Sequence, residues 1–268
     1  MNSNRNLLIY LAIIHDGNYD AIMNAIYHRI FPSEEEVNEE VSKLKCNVLT
    51  VLDPNYPKYL KRMARFPLVL FYYGDISLIN EDRLKSNLAV VGTRKATSYG
   101  LKNTSRIIKE MGDKVCIVSG LARGIDAQAH QAALNVGAKT IAVLGSGIDN
   151  PWPEENALLY RDIITHGGLV VSEYPHMSTP DMTHFPVRNR LIAMFAESLL
   201  VTEAYGYRTG TSITVGFANS YGRLVMCIPY PPHIEDSFCN QLLYEGATFV
   251  RNGQDILLEL GLEEIKII

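Results

Sequence analysis

Little in this sequence invites covalent or metal chemistry. Four cysteines (Cys46, Cys116, Cys227, Cys239) are scattered over 268 residues with no Cys-x-x-Cys pair. Free, buried thiols in a reducing compartment are therefore expected, not disulfides or a zinc site. No apolar run is long enough to cross a bilayer, which takes about 20 residues. Residues 7–14 follow Arg5 in the manner of a short signal sequence, but the run stops at His15-Asp16-Gly17 without a small-residue cleavage site. A core-facing helix in a cytoplasmic protein is expected there, with no membrane partner. Net positive charge is also missing: 25 Lys/Arg against 29 Asp/Glu leave −4. That argues mildly against a nucleic-acid partner, because phosphate binding rests on Lys and Arg. Distribution outweighs the sum, however. Residues 86–210 hold 12 basic and 11 acidic side chains, and much of the remaining acid sits in residues 33–40. The middle of the chain is free to carry a local basic site.

What is present is a change of texture near residue 47. Before it, Ala21, Ile22, Ala25, Ile26 and Ile30 recur at helical spacing up to Pro32. Ser33 with Glu36 three residues on has the form of a capping box. After it, short β-branched runs at 48–52, 68–72, 88–91, 116–119, 140–144, 169–172, 199–202, 224–228 and 248–250 alternate with helical stretches such as 124–136 and 189–196. Strand–helix alternation predicts a largely parallel α/β sheet with helices on both faces. The expected division is a helical N-terminal domain over 1–46 and an α/β domain over 47–268. Ligands of such sheets collect at the carboxyl ends of the strands, where the strand order reverses.

The residues at those ends are Gly-rich and polar. Ser119-Gly120-Leu121-Ala122-Arg123-Gly124-Ile125-Asp126 opens a helix directly after a strand. Glycines there admit a phosphate to the backbone, and the first helical turn offers free N–H groups. The competing reading is a tight turn capped by Asp126. This is not Gly-x-Gly-x-x-Gly, and the next strand ends in Gly145-Ser146-Gly147 where an acidic ribose ligand would stand, so no nicotinamide cofactor is expected. Gly92-Thr93-Arg94 brings a guanidinium, able to clamp phosphate at two points, to another strand end. Phe185-Pro186-Val187-Arg188-Asn189-Arg190 starts a helix with groups suited to an anion and an aromatic suited to an unpaired base. Lys139, by contrast, begins a strand and reads as a solvated charge at the opposite end of the sheet. Asp126 and His130, four apart, have metal-ligand spacing but no second pair, so a cap and a packed histidine are expected. Ser119 lacks the Gly-x-Ser-x-Gly elbow. Glu173 and Glu203 end strands and leave a general-base role open, although no catalytic constellation stands out.

Residues 89–94, 117–130, 139–145, 172–175 and 185–190 together resemble, in order, the DNA-processing (DprA/Smf) family. The resemblance implies an extended Rossmann-like fold that binds single-stranded DNA through its phosphates. It further implies a homodimer that helps load the RecA recombinase onto incoming DNA in natural transformation, with no cofactor. Carried over by position, Arg94 and Lys139 become DNA contacts. Gly92, Thr93, Ser119, Gly120, Arg123, Gly124, Asp126, Phe185, Arg188 and Asn189 complete the groove.

Four features depart from the family pattern. Residues 208–214 vary its Ser-Gly-Ser-Leu-Ile-Thr segment, and Pro229-Tyr230-Pro231 stands where relatives carry Pro-Gly. Met182 replaces a frequent lysine. The sequence also ends at Ile268, so the winged-helix-like extension of some relatives is not expected. Two functions compete: a non-enzymatic mediator that binds single strands, and a nucleotide hydrolase using Glu203 beside Gly210-Thr211. A nicotinamide dehydrogenase is weaker than either.

Overall fold

A computed structural model describes residues 3–176, 178–231 and 234–263. Among these residues nine strands form one sheet in the order β1-β2-β6-β5-β4-β3-β7-β8-β9. They are β1 (Asn47–Thr50), β2 (Val69–Gly74), β3 (Asn87–Val91), β4 (Cys116–Ser119), β5 (Thr140–Leu144), β6 (Leu169–Ser172), β7 (Ser198–Val201), β8 (Leu224–Cys227) and β9 (Thr248–Phe249). The seven strands from β6 to β9 in that order pair in parallel, while β1 and β2 add antiparallel at one edge. Strand order reverses between β3 and β7, whose register pairs Val91 with Val201.

Side chains alternate faces along each strand, so both faces must be covered. In β3, Leu88 and Val90 point into a core with α4 (Ser98–Met111), α5 (Ile125–Asn135) and α10 (Gly253–Glu259). Ala89 and Val91 point the other way, toward α7 (His184–Met194), α8 (Gly210–Ser220) and α9 (Phe238–Tyr244). The remainder of the first face is filled by α6 (Ala157–Thr165) and by α1 (Ser3–Ile14), α2 (Tyr19–Tyr27) and α3 (Glu34–Ser42). The N-terminal apolar run is the expected core-facing helix, with residues 8–12 buried against the set that holds Phe71, Ala142 and Val170.

Two local expectations need correction. Helix α2 ends at Tyr27, well before Pro32, because Arg29 adopts a left-handed backbone (φ 54°), and Ile26 and Ile30 are exposed. Ser33 caps α3 through Glu36 N–H, but the Glu36 carboxylate takes the Tyr10 hydroxyl at 2.6 Å. The four cysteines are free, as expected. No described helix is long and apolar enough to cross a membrane.

Candidate nucleic-acid interface

The loops after β3 and β7 part at the reversal of strand order, and a cavity of about 450 Å³ opens between them. The β3 loop contributes Gly92, Thr93, Arg94 and Lys95; the β7 loop contributes Tyr205, Arg208 and Thr209. The first turns of α7 and α8 close the remaining sides with Phe185, Arg188, Asn189, Gly210, Thr211 and Thr214.

The close approach of these loops depends on absent side chains. A Cβ on Gly92 would meet the Glu203 carbonyl at 2.6 Å, and one on Gly124 (φ 73°) would meet the Thr93 carbonyl at 2.3 Å. Gly124 is also the N-cap residue of α5. Asp126 is therefore not the cap it resembled. It lies inside the first turn, buried, with Oδ2 accepting Gly120 N–H at 3.1 Å. Burial pushes its carboxyl pKa up, against the pull of Arg188 and of the Gly120 and Ala122 amides.

The cations around the cavity fall into two kinds. Arg94, Lys95 and Arg208 line it, and among the described residues none of them has a carboxylate within 4 Å. Arg94 is exposed, with its guanidinium carbon 5.4 Å from the Phe185 ring centroid, a cation–π arrangement that presents the remaining donors to solvent. Arg188 is the other kind. Only 4% exposed, it donates Nη1 to Gly120 O (2.7 Å) and to Val143 O, and Nε to Asn189 Oδ1 (3.1 Å). Burial draws its pKa down to about 10 while Asp126 opposes the shift. Arg188 thus fixes the ends of β4 and β5 beneath the cavity, and Asn189 Nδ2 ties α7 to the Gly210 carbonyl at 3.1 Å.

Helix α8 aims its N-terminus at the same cavity. Thr209 and Ser212 form its capping box, and Thr211, Ile213 and Thr214 line the wall. A helix N-terminus supplies free N–H groups and partial positive charge, so the end of α8 reinforces the cations. Val91, Met182, Ile192 and Ile213 add apolar surface suited to a flat, uncharged group.

The sequence-predicted residues therefore separate. Gly92, Thr93, Arg94, Asp126, Phe185, Arg188 and Asn189 meet at the cavity, with Gly120 and Gly124 directly behind it. Ser119 is fully buried and donates to Val90 O at 2.6 Å, which makes it a link between β4 and β3. Arg123 is held away by Glu155 at 2.7 Å. Lys139 lies at the amino end of β5 and donates to His166 O at 2.9 Å. His130 is the packed histidine expected. Thr140 gives its hydroxyl proton to Ile117 O, so Nδ1 of the imidazole must donate to Thr140 Oγ1 (2.7 Å), and burial depresses the pKa to about 3. No described cluster of His, Cys, Asp or Glu could hold a metal.

Glu203 has both carboxylate oxygens engaged within the fold. It is fully buried and does not line the cavity; its oxygens accept Thr97 N–H (2.9 Å) and the hydroxyls of Tyr205 (2.5 Å) and Tyr230 (3.0 Å). Glu173 forms a largely buried ion pair with Arg190 at 2.6 Å. Sequence reasoning missed Lys95 and Arg208 as site cations. Their signal was position alone: Lys95 adjoins the Gly-Thr-Arg turn, and Arg208 precedes the helix that opens at Gly210.

Comparison with known proteins identifies the family. The DNA processing protein DprA of Streptococcus pneumoniae is 41% identical over 213 residues, 78% of this chain and 73% of the relative. DprA of Bacillus subtilis is 32% identical over 244 residues, covering 90% and 80%. Smf of Synechocystis is 37% identical over 225 residues, and the match spans 56% of that longer relative. The solved structure of S. pneumoniae DprA superposes with a TM-score of 0.77 at 36% identity, over 90% of this chain and 82% of that one. DprA from Helicobacter pylori, described for its single-stranded DNA binding mode, gives 0.71 at 26% identity, over 82% and 98%. Residues 47–261 match the family described as DNA recombination-mediator protein A, so the cationic cavity at the strand-order switch lies wholly inside the matched span and the chain belongs to that family.

Proposed function

We propose that the cavity binds the backbone of single-stranded DNA, with Arg94, Lys95, Arg208 and the N-terminus of α8 on phosphate and Phe185 beside a base. The observation that carries this reading is a set of three cations, without carboxylate partners among the described residues, converging on one helix N-terminus at the sheet's switch point. In a protein of net charge −4 such a set is a local anion site, not a by-product of composition. The family membership and the single-strand binding described for the H. pylori relative support it.

On this reading the protein is a non-enzymatic mediator that covers incoming strands in the cytoplasm and passes them to RecA. It acts as a homodimer; the exposed Phe249 on the edge strand β9 supports an association surface there. The test is binding of a fluorescent oligonucleotide, single-stranded and duplex, at two salt concentrations. Strand-selective affinity that falls with salt is expected, because each broken phosphate contact recaptures counterions. Salt-indifferent binding, or none, would end this reading.

A further inference from the structure

Both ends of the segment that carries Arg94 and Lys95 hang on one buried residue. Thr93 N–H donates to the Glu203 carbonyl at 2.8 Å and Thr97 N–H to Glu203 Oε2 at 2.9 Å. The other carboxylate oxygen, Oε1, receives the hydroxyls of Tyr205 and Tyr230, which are themselves 2.6 Å apart. Tyr205 is part of the cavity wall. Tyr230 is not, and it arrives from a different element, the segment after β8. Its hydroxyl also lies 3.3 Å from Thr97 Oγ1.

Tyr230 is itself firmly held. Its N–H donates to Asn240 Oδ1 (2.9 Å), and Asn240 Nδ2 donates back to its carbonyl (3.0 Å). The Tyr99 ring meets its ring edge-on at 4.8 Å, and the Tyr99 hydroxyl donates to Pro229 O at 2.6 Å. A side chain this constrained can impose an orientation on the carboxylate it touches.

We propose that Tyr230 is a positioning residue for strand binding: its hydroxyl fixes the Glu203 carboxylate, and through it the loop that presents Arg94 and Lys95 to phosphate. The proposal rests on the DNA-binding reading above and deepens it. An exposed loop that must be ordered on binding spends part of its interaction energy on ordering, whereas a loop held in advance does not. Tyr230 does not line the cavity, so its effect differs in kind from that of the cations.

The experiment uses Tyr230→Phe, which keeps the ring and removes the donor, alone and combined with Arg94→Ala. Tyr230→Phe is expected to bind a single-stranded oligonucleotide about three- to tenfold more weakly, the scale of one hydrogen bond. The salt slope should be unchanged, because no phosphate contact is lost. In the Arg94→Ala background the same substitution should cost clearly less than it does alone, since part of what it positions is gone. Hydrogen exchange of the Thr93 and Thr97 amides should accelerate, which reads the loop directly. Native affinity in Tyr230→Phe, an equal loss in both backgrounds, or unchanged exchange at Thr97 overturns the proposal. A native protein that binds no strand sinks the underlying reading and the proposal with it, and the native sample alone reveals that case.

Discussion

The two ends of the parallel sheet use their charges in opposite ways. At the amino end Lys139 is spent on the carbonyl that terminates α6, and Arg223 pairs with Glu197 at 3.2 Å. At the carboxyl end Arg94, Lys95 and Arg208 surround a cavity, among the described residues without a carboxylate in reach, above a buried guanidinium that holds the floor. The same residue types thus complete the fold at one end and, among the described residues, are left without carboxylate partners at the other. Helix polarity explains part of this. Parallel strands with returning helices place helix N-termini at the carboxyl end, where they favour anions, and helix C-termini at the amino end, where they favour cations such as Lys139.

The largest effect should come from removing the floor. Arg188→Met leaves the Gly120 and Val143 carbonyls without their donor and Asp126 without its opposing charge. Breaking a buried charged network of this kind costs about 3–5 kcal/mol, measurable by urea unfolding. Stability left within about 1 kcal/mol of native would make Arg188 a ligand group and not a brace. Next, Arg94→Glu should weaken single-strand binding by about tenfold or more and lower the salt slope, with little change in stability.

Acid should separate the core from the site. His130 is kept neutral by burial, with a folded pKa of about 3 against an ordinary value of 6.5. Below pH 6.5 the unfolded chain takes up a proton that the folded chain refuses. Its contribution to stability, complete above pH 6.5, therefore drains away as pH falls toward 3, by up to about 1.4 kcal/mol per pH unit. Asp126, raised by burial, contributes with the opposite sign over the range above its unfolded pKa. A His130→Gln variant should flatten the acid limb measured by unfolding across pH 4–7; an unchanged limb would assign it to other groups.

The smallest effect is expected at Lys139, and it sharpens the comparison most. Lys139→Glu should leave the affinity for an oligonucleotide of about 4 nucleotides within twofold of native, and weaken one of about 16. Equal loss for both lengths would mean that the strand does not start from the cavity.

Much of the fold could be read along the chain. All nine strands lie within a residue or two of their β-branched runs, because a strand covered on both faces reads as a short continuous apolar run, which is a local property. The Gly-rich turns at residues 92–94 and 119–126 were legible for a similar reason, since a loop that passes close to backbone must lack Cβ atoms. Other roles were hidden because they depend on what the fold brings opposite. Nothing near Arg188 in sequence shows that the Gly120 and Val143 carbonyls will accept from it, nor near Ser119 that the Val90 carbonyl will accept its hydrogen bond. Likewise, nothing near Glu203 in sequence shows that Thr97 and Tyr230 will donate to its carboxylate.

By itself, then, the sequence determined the elements, their alternation and the chemistry at each strand end, all set by neighbours within a few residues. Only the tertiary structure decided that β3 pairs with β7, across more than a hundred residues of chain. That single long-range pairing opens the cavity, leaves Arg188 buried beneath it and Arg94 at its wall, and gathers Lys95 and Arg208 beside them.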